Sequence, residues 1–179
     1  TYTDYDGNGI INASDRQYIV ARGQRFYGGL DNSLSYKGIE ISFLFQFGRQ
    51  TAGTFTAQYS NALGRSFNQP QAYQGRYWTK PGDIAELQRP STGVLTAANT
   101  AQTNYVSSSA AVGDASFIRL KNISLSYSSQ KILKGKNLRA SINAQNLLTL
   151  TNYFGLDPES ANSSLPLLRT VTAGLSLDL

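Results

Sequence analysis

Twelve residues near the start of the chain have the types and spacing to hold a hard metal ion. Residues 4–15 read Asp4-Tyr5-Asp6-Gly7-Asn8-Gly9-Ile10-Ile11-Asn12-Ala13-Ser14-Asp15. Aligned with a twelve-position calcium loop, oxygen-bearing side chains fall at the positions that supply ligands, a glycine at the sharp turn and an aliphatic residue after it. The expected ligands are the side chains of Asp4, Asp6 and Asn8, the carbonyl of Ile10, Asn12 (directly or through water) and Asp15. Gly9 supplies the backbone freedom for the turn. Asp15 stands where a bidentate Glu is more usual, which implies modest affinity for Ca2+. Hardly any sequence precedes the loop, so a complete helix–loop–helix hand is not expected, although 14–20 can form a short exit helix. The competing reading is a metal-free turn, because Asp, Asn and Gly favour turns anyway.

A second group is aromatic. Residues 73–83 contain Tyr73, Arg76, Tyr77 and Trp78, followed by Thr79-Lys80-Pro81-Gly82-Asp83. Ring faces can stack on the apolar faces of sugars or on peptide side chains while Arg76 fixes orientation. These four are the candidate contacts for a substrate or for a covering partner, against the alternative that Tyr77 and Trp78 only pack their own loop. Catalysis has little to work with. The chain has no histidine or cysteine, so imidazole and thiol chemistry are absent and zinc lacks its usual ligands. A hydrolase would need a carboxylate pair such as Asp157 and Glu159, but these flank Pro158 and read as turn chemistry. An enzyme is not expected.

The elements that must position these groups are strands. In 39–47, Ile39, Ile41, Phe43, Phe45 and Phe47 alternate with Glu40, Ser42 and Gln46. In 137–150, Leu138, Ala140, Ile142 and Ala144 oppose Arg139, Ser141, Asn143 and Gln145. A period of two over such lengths predicts β-strand. Five strands are expected, over about 25–36, 39–48, 116–127, 137–150 and 169–179. Lys37-Gly38 is a two-residue hairpin turn, and 128–136 is the second short connection. The other two connections, 49–115 and 151–168, are long, and 91–112, rich in Ser, Thr, Ala and Asn, is expected to be the most mobile part.

Charged residues make up 15% of the 179 residues, below the quarter usual for soluble domains, with Ser, Thr, Asn, Gln, Gly and Tyr in their place. Net charge is +5, but the cations are scattered, so no nucleic-acid surface is expected. Strands with one apolar and one very polar face, joined by alternating short turns and long loops, fit a transmembrane β-barrel whose long loops are extracellular. Residues 1–24, with the candidate calcium loop, then lie outside the cell, and 25–179 supply the barrel strands. About five strands cannot close such a barrel, so the chain reads as a C-terminal piece of something longer. The alternative is a soluble secreted, calcium-stabilised β-domain, an adhesin or a carbohydrate-binding module.

Several segments resemble one family closely. They are 4–16, Arg76-Tyr77-Trp78-Thr79 with the following Pro-Gly-Asp, 113–127, 144–153 with Asp157-Pro158-Glu159, and Leu165-Pro166 with Arg169-Thr170. The chain is similar to the C-terminal end of the SusC-like TonB-dependent outer-membrane transporters. Leu179 departs from the aromatic residue with which that family usually ends. The resemblance implies an all-β fold, the last strands of a 22-stranded antiparallel barrel around a plug, in the outer membrane of a Gram-negative bacterium. It also implies a SusD-like lipoprotein lid, energy from the TonB complex through the plug, outer-membrane lipid around the barrel, and import of glycans or oligopeptides.

Overall fold

The computed structural model describes residues 2–58, 63–64, 69–85, 87–93, 96–133, 136–161 and 165–178. Its strands are β1 (Gly23–Tyr36), β2 (Ile39–Gly53), β3 (Val112–Asp114), β4 (Phe117–Leu133), β5 (Lys136–Thr151) and β6 (Thr170–Asp178). The long strands form an antiparallel sheet in the order β1-β2-β4-β5-β6, with the short β3 paired to β2. The strands exceed the sequence expectation in the middle of the chain. β2 continues to Gly53 rather than ending near 48, and β4 and β5 run through nearly all of 128–136 and pair Leu133 with Lys136. Residues 134–135 and Leu179 lie outside the described residues. Two compact units are distinct: Thr1–Arg22 with Ala52–Gly113, and Gly23–Thr51 with Asp114–Leu179.

The second unit is the sheet. Cross-strand partners share a face, so the register shows what each face presents. One face carries the rows Tyr36–Ile39–Tyr127–Ala140–Leu175, Leu34–Ile41–Leu125–Ile142–Ala173, Leu30–Phe45–Leu120–Leu148 and Gly28–Phe47–Ile118–Leu150. The other carries Ser35–Glu40–Ser126–Ser141–Gly174, Ser33–Ser42–Ser124–Asn143–Thr172 and Gly29–Gln46–Arg119–Thr149. Much of the apolar face is exposed among the described residues. Leu34, Ile39, Leu125, Ile142, Leu150 and Leu175 are among its exposed members. A contiguous exposed apolar surface of this kind marks a site of contact with protein or membrane. The nine residues 39–47 match the ~9–11 that a tilted transmembrane strand needs.

A bulge keeps the two faces separate. In β4 the apolar residues are Ile118 and Leu120, then Ile123, Leu125 and Tyr127, so the alternation changes parity. Lys121 is the extra residue: Phe45 pairs Leu120 while the adjacent Leu44 pairs Asn122. On the other side, Leu120 pairs Leu148 and Asn122 pairs Gln145, leaving Asn146 and Leu147 opposite Lys121. Asn146 adopts a left-handed conformation at φ 54°, which Asn tolerates better than most residues, and its Nδ2 donates to the Leu168 carbonyl at 3.1 Å. At the tight hairpin, Lys37 and Gly38 both have positive φ, 48° and 84°, as a type I′ turn demands.

The first unit is built from turns and short helices. Residues 97–106, expected to be mobile, form the helix α2 (Ala97–Val106) after the four-residue helix α1 (Phe55–Gln58). The Thr96 side chain accepts from the Asn99 N–H and so satisfies one of the free donors at the start of α2. Phe55, Leu63, Tyr73, Leu87 and Ala111 are its buried apolar residues. Among the described residues no helix is long and apolar enough to cross a membrane.

Candidate functional site

The acidic loop brings three of its six expected ligands together. One carboxylate oxygen from each of Asp4, Asp6 and Asp15 lies within 4.8 Å of the others. Backbone N–H groups hold the carboxylates: Gly7 and Gly9 donate to Asp4 at 2.7 Å each, and Tyr5 and Asn12 donate to Asp15 at 2.8 and 2.9 Å. The Asn12 and Tyr5 N–H groups, in that order, hold the Asp15 carboxyl below its ordinary range. The other three expected ligands are engaged within the loop. Asn8 Oδ1 accepts from the Ile10 N–H, Asn12 Oδ1 from the Ser14 N–H, and the Ile10 carbonyl from Asn12 Nδ2. The exit helix shrinks to the 3-10 turn Ala13–Asp15, with Asn12 and Asp15 forming a capping box. An all-oxygen set of three converging carboxylates fits a hard dication such as calcium.

The four aromatic-loop candidates separate. The Tyr73 ring is 3% exposed and packs edge-on against Phe55, with centroids 5.7 Å apart, so it is core. Tyr77 is the more exposed ring. It lines a cleft of about 320 Å³ with Gln71, Gln74 and Pro90, which Tyr73 also borders. Trp78 faces a different hollow of about 350 Å³, shared with Tyr2, Arg89, Gln102 and Tyr105. Tyr77 pairs with Leu87 in a parallel bridge, and Trp78 N–H donates to the Leu87 carbonyl at 2.9 Å. Arg76 is exposed on a groove with Thr79, Asp83 and Ile84. There Asp83 accepts from the Thr79 hydroxyl and from the Lys80 and Thr79 N–H groups, bonds that hold its carboxyl below the ordinary range and close the Pro81-Gly82 turn.

The sheet unit holds a polar cluster that reading the sequence assigned to a turn. Arg119 on β4 is 2% exposed and Asp157 4%. Arg119 Nη2 donates to both oxygens of Asp157 at 2.9 Å, and Nη1 to Glu159 Oε2 at 2.6 Å. Lys121 Nζ reaches the same Glu159 oxygen at 3.3 Å, and Gln46 Nε2 donates to Oε1 at 2.9 Å. Arg119 Nε donates to Thr149 Oγ1 at 3.0 Å, and its guanidinium lies 5.5 Å from the centre of the Phe117 ring. Gln50 Nε2 donates to the Pro158 carbonyl, and Glu159 N–H to Asp157 Oδ1 at 2.8 Å. Burial raises the Asp157 carboxyl, but the Arg119 hydrogen bonds, the Glu159 N–H and the Arg119 charge together hold it below its ordinary range. Asp157 and Glu159 are therefore not a catalytic pair opposed across a cleft. Both face cations of β4. A cation and an acid separated by 38 residues leave no local spacing by which to find this pairing.

Comparison with known proteins agrees with the sheet. No protein-family model matches the chain. Among curated proteins, TonB-dependent receptor P39 of Formosa agariphila is 33% identical over 176 residues, covering 90% of this chain and 16% of the receptor. TonB-dependent receptor P3 of the same organism is 29% identical over 98% of this chain and 18% of its own length. TonB-dependent receptor SusC of Bacteroides thetaiotaomicron is 26% identical over 99% of this chain and 17% of its own length. The chain thus spans less than a fifth of these relatives. Among solved structures, the RagAB peptide transporter superposes with a TM-score of 0.56 at 26% identity, over 86% of this chain and 17% of that one. The RagAB peptide importer in its closed-closed state gives 0.55 at 25% identity. Over nine-tenths or more of its length the chain is similar to TonB-dependent receptors, SusC among them, and its two-faced antiparallel sheet matches a fragment of a TonB-dependent β-barrel.

Proposed function

We propose that this chain is part of an outer-membrane active transporter that imports glycans or oligopeptides in a Gram-negative bacterium. On this reading the apolar face meets outer-membrane lipid, and the polar face lines the interior with the remaining strands and a plug. TonB supplies energy through that plug, and a SusD-like lipoprotein covers the extracellular mouth. The observation that carries the proposal is the cross-strand register, which divides the five long strands into one apolar and one polar face. The names of the matched receptors and of the peptide transporter point the same way. Residues 1–24 and the two long connections 49–115 and 151–168 then lie outside the cell, where Arg76, Tyr77 and Trp78 can meet substrate or lid. The test is deletion of the full-length gene, followed by growth on oligopeptides or on glycans as sole nutrient, with affinity purification of the tagged protein from mild detergent. Loss of growth on one class and recovery of a lipoprotein are expected. A water-soluble monomer that needs no detergent would overturn the reading in favour of the secreted β-domain.

We further infer that the 4–15 loop holds Ca2+. The convergence of Asp4, Asp6 and Asp15 supports this. Terbium luminescence sensitised by Tyr5 should appear on titration, fall on competition with calcium, and vanish in the Asp4→Asn/Asp15→Asn variant. Equal luminescence from that variant would remove the site.

A further inference from the structure

We propose that the Asp157-Pro158-Glu159 segment is a strap. It fastens the connection between β5 and β6 onto the polar face of the sheet at two points of unequal strength. Asp157 is the anchor: both its oxygens are taken by Arg119, and the two side chains are 5% and 3% exposed. A pair this enclosed cannot exchange its partner for water without leaving a buried charge alone. Glu159 is the latch: its side chain is 33% exposed, and three donors from two strands share it, Arg119 Nη1, Lys121 Nζ and Gln46 Nε2. Between them, Gln50 holds the Pro158 carbonyl, so the backbone is tied as well as the side chains.

The bulge explains why both cations are available to one acid. Residues i and i+2 of a strand share a face, so Arg119 and Lys121 point the same way. The extra residue then restores Asn122 to the polar face and Ile123 to the apolar one. The segment reaches the sheet because it leaves β5 through further ties: Thr151 Oγ1 donates to the Ser116 carbonyl at 2.7 Å and accepts from Tyr153 N–H at 3.0 Å. Release of the strap would uncover Arg119 and Lys121 together on the polar face. The connection thus behaves as part of the sheet wall rather than as a free loop. The strap itself stands whatever solute the protein carries.

The experiment uses the full-length protein in detergent micelles, with other cysteines removed and a nitroxide attached at Ser160→Cys, an exposed position beside the latch. The readout is the ratio of mobile to immobile components in the spin-label spectrum. Heat-modifiable migration on gels reports separately that the barrel is folded. Asp157→Asn should raise the mobile-to-immobile ratio about tenfold or more, because the buried Arg119 loses the enclosed carboxylate that takes both its Nη2 bonds and keeps only the partly exposed Glu159 as a charged partner. Glu159→Gln should raise it only about two- to threefold, as for a partly exposed pair. Should Asp157→Asn fail to fold, Gln50→Leu removes only the backbone tie and should still mobilise the label. An unchanged spectrum in folded Asp157→Asn or in Gln50→Leu overturns the strap, and an equal response in Glu159→Gln and Asp157→Asn overturns the division into anchor and latch.

Discussion

Arg119 has exchanged water for a fixed set of acceptors: Asp157, Glu159 and Thr149. Removing one partner of such a buried pair typically costs about 3–5 kcal/mol, because the other charge stays behind. The pH dependence follows from the Asp157 carboxyl, which lies lower in the folded protein than its unfolded value of about 3.9. A depressed carboxyl contributes stability fully above its unfolded pKa and loses it as pH falls through the folded one. The groups facing it are Arg119, which stays charged throughout, and, through the shared guanidinium, Glu159 and Lys121. The Ser160 spin label should therefore keep an unchanged spectrum from neutral pH down to about pH 4 and mobilise only below it. Mobilisation between pH 5 and 7 would mean that Asp157 is not ion-paired. At this scale the sequence was legible where chemistry is local. The spacing of Asp4, Asp6 and Asp15 within one loop pointed to their meeting. The Arg119–Asp157 contact was not legible, since it depends on which strand the second long connection folds back upon. Tyr73 also looked like a surface aromatic, and only the packing of Phe55 against it makes it core.

Among the elements, the β1–β2 hairpin turns on two residues. Gly38 has φ 84°, and a Cβ placed there would collide with the Ser128 carbonyl of β4. Gly38→Ala should therefore lower the temperature at which the folded barrel loses its heat-modifiable migration, through backbone strain of about 1–2 kcal/mol and the added clash. Lys37→Gly, at the other positive-φ position, should be neutral or slightly stabilising. Equal tolerance of Gly38→Ala would contradict the turn geometry. Strand identity was plain from the alternation in 39–47 and 137–150. Strand ends were not, because pairing carries the backbone into polar stretches such as 128–133, where composition alone suggests a connection. The parity change in β4, from Ile118 and Leu120 to Ile123 and Leu125, is explained by the extra residue Lys121, which the pairing register reveals. Residues 97–106 became helical despite their Thr and Asn content because Thr96 caps them and Gln102 is buried in their own unit.

At the scale of the molecule, the central claim is that the sheet divides two solvents. Rows of Leu, Ile, Phe and Val point one way, many of them exposed among the described residues, and rows of Ser, Thr, Asn and Gln point the other. A sandwich would need a second sheet over the apolar rows, whereas a barrel wall needs lipid there. Nitroxides placed singly at residues 40–46 of β2, in the full-length protein reconstituted in lipid nanodiscs, test this most directly. Collision rates with oxygen, which concentrates in lipid, and with a water-soluble nickel chelate should alternate with a period of two. Labels at Ile41, Phe43 and Phe45 should favour oxygen, and those at Glu40, Ser42 and Gln46 should favour nickel or be shielded by protein. Nickel access at Ile41, Phe43 and Phe45 equal to that at the polar positions, with no alternation, would contradict the account.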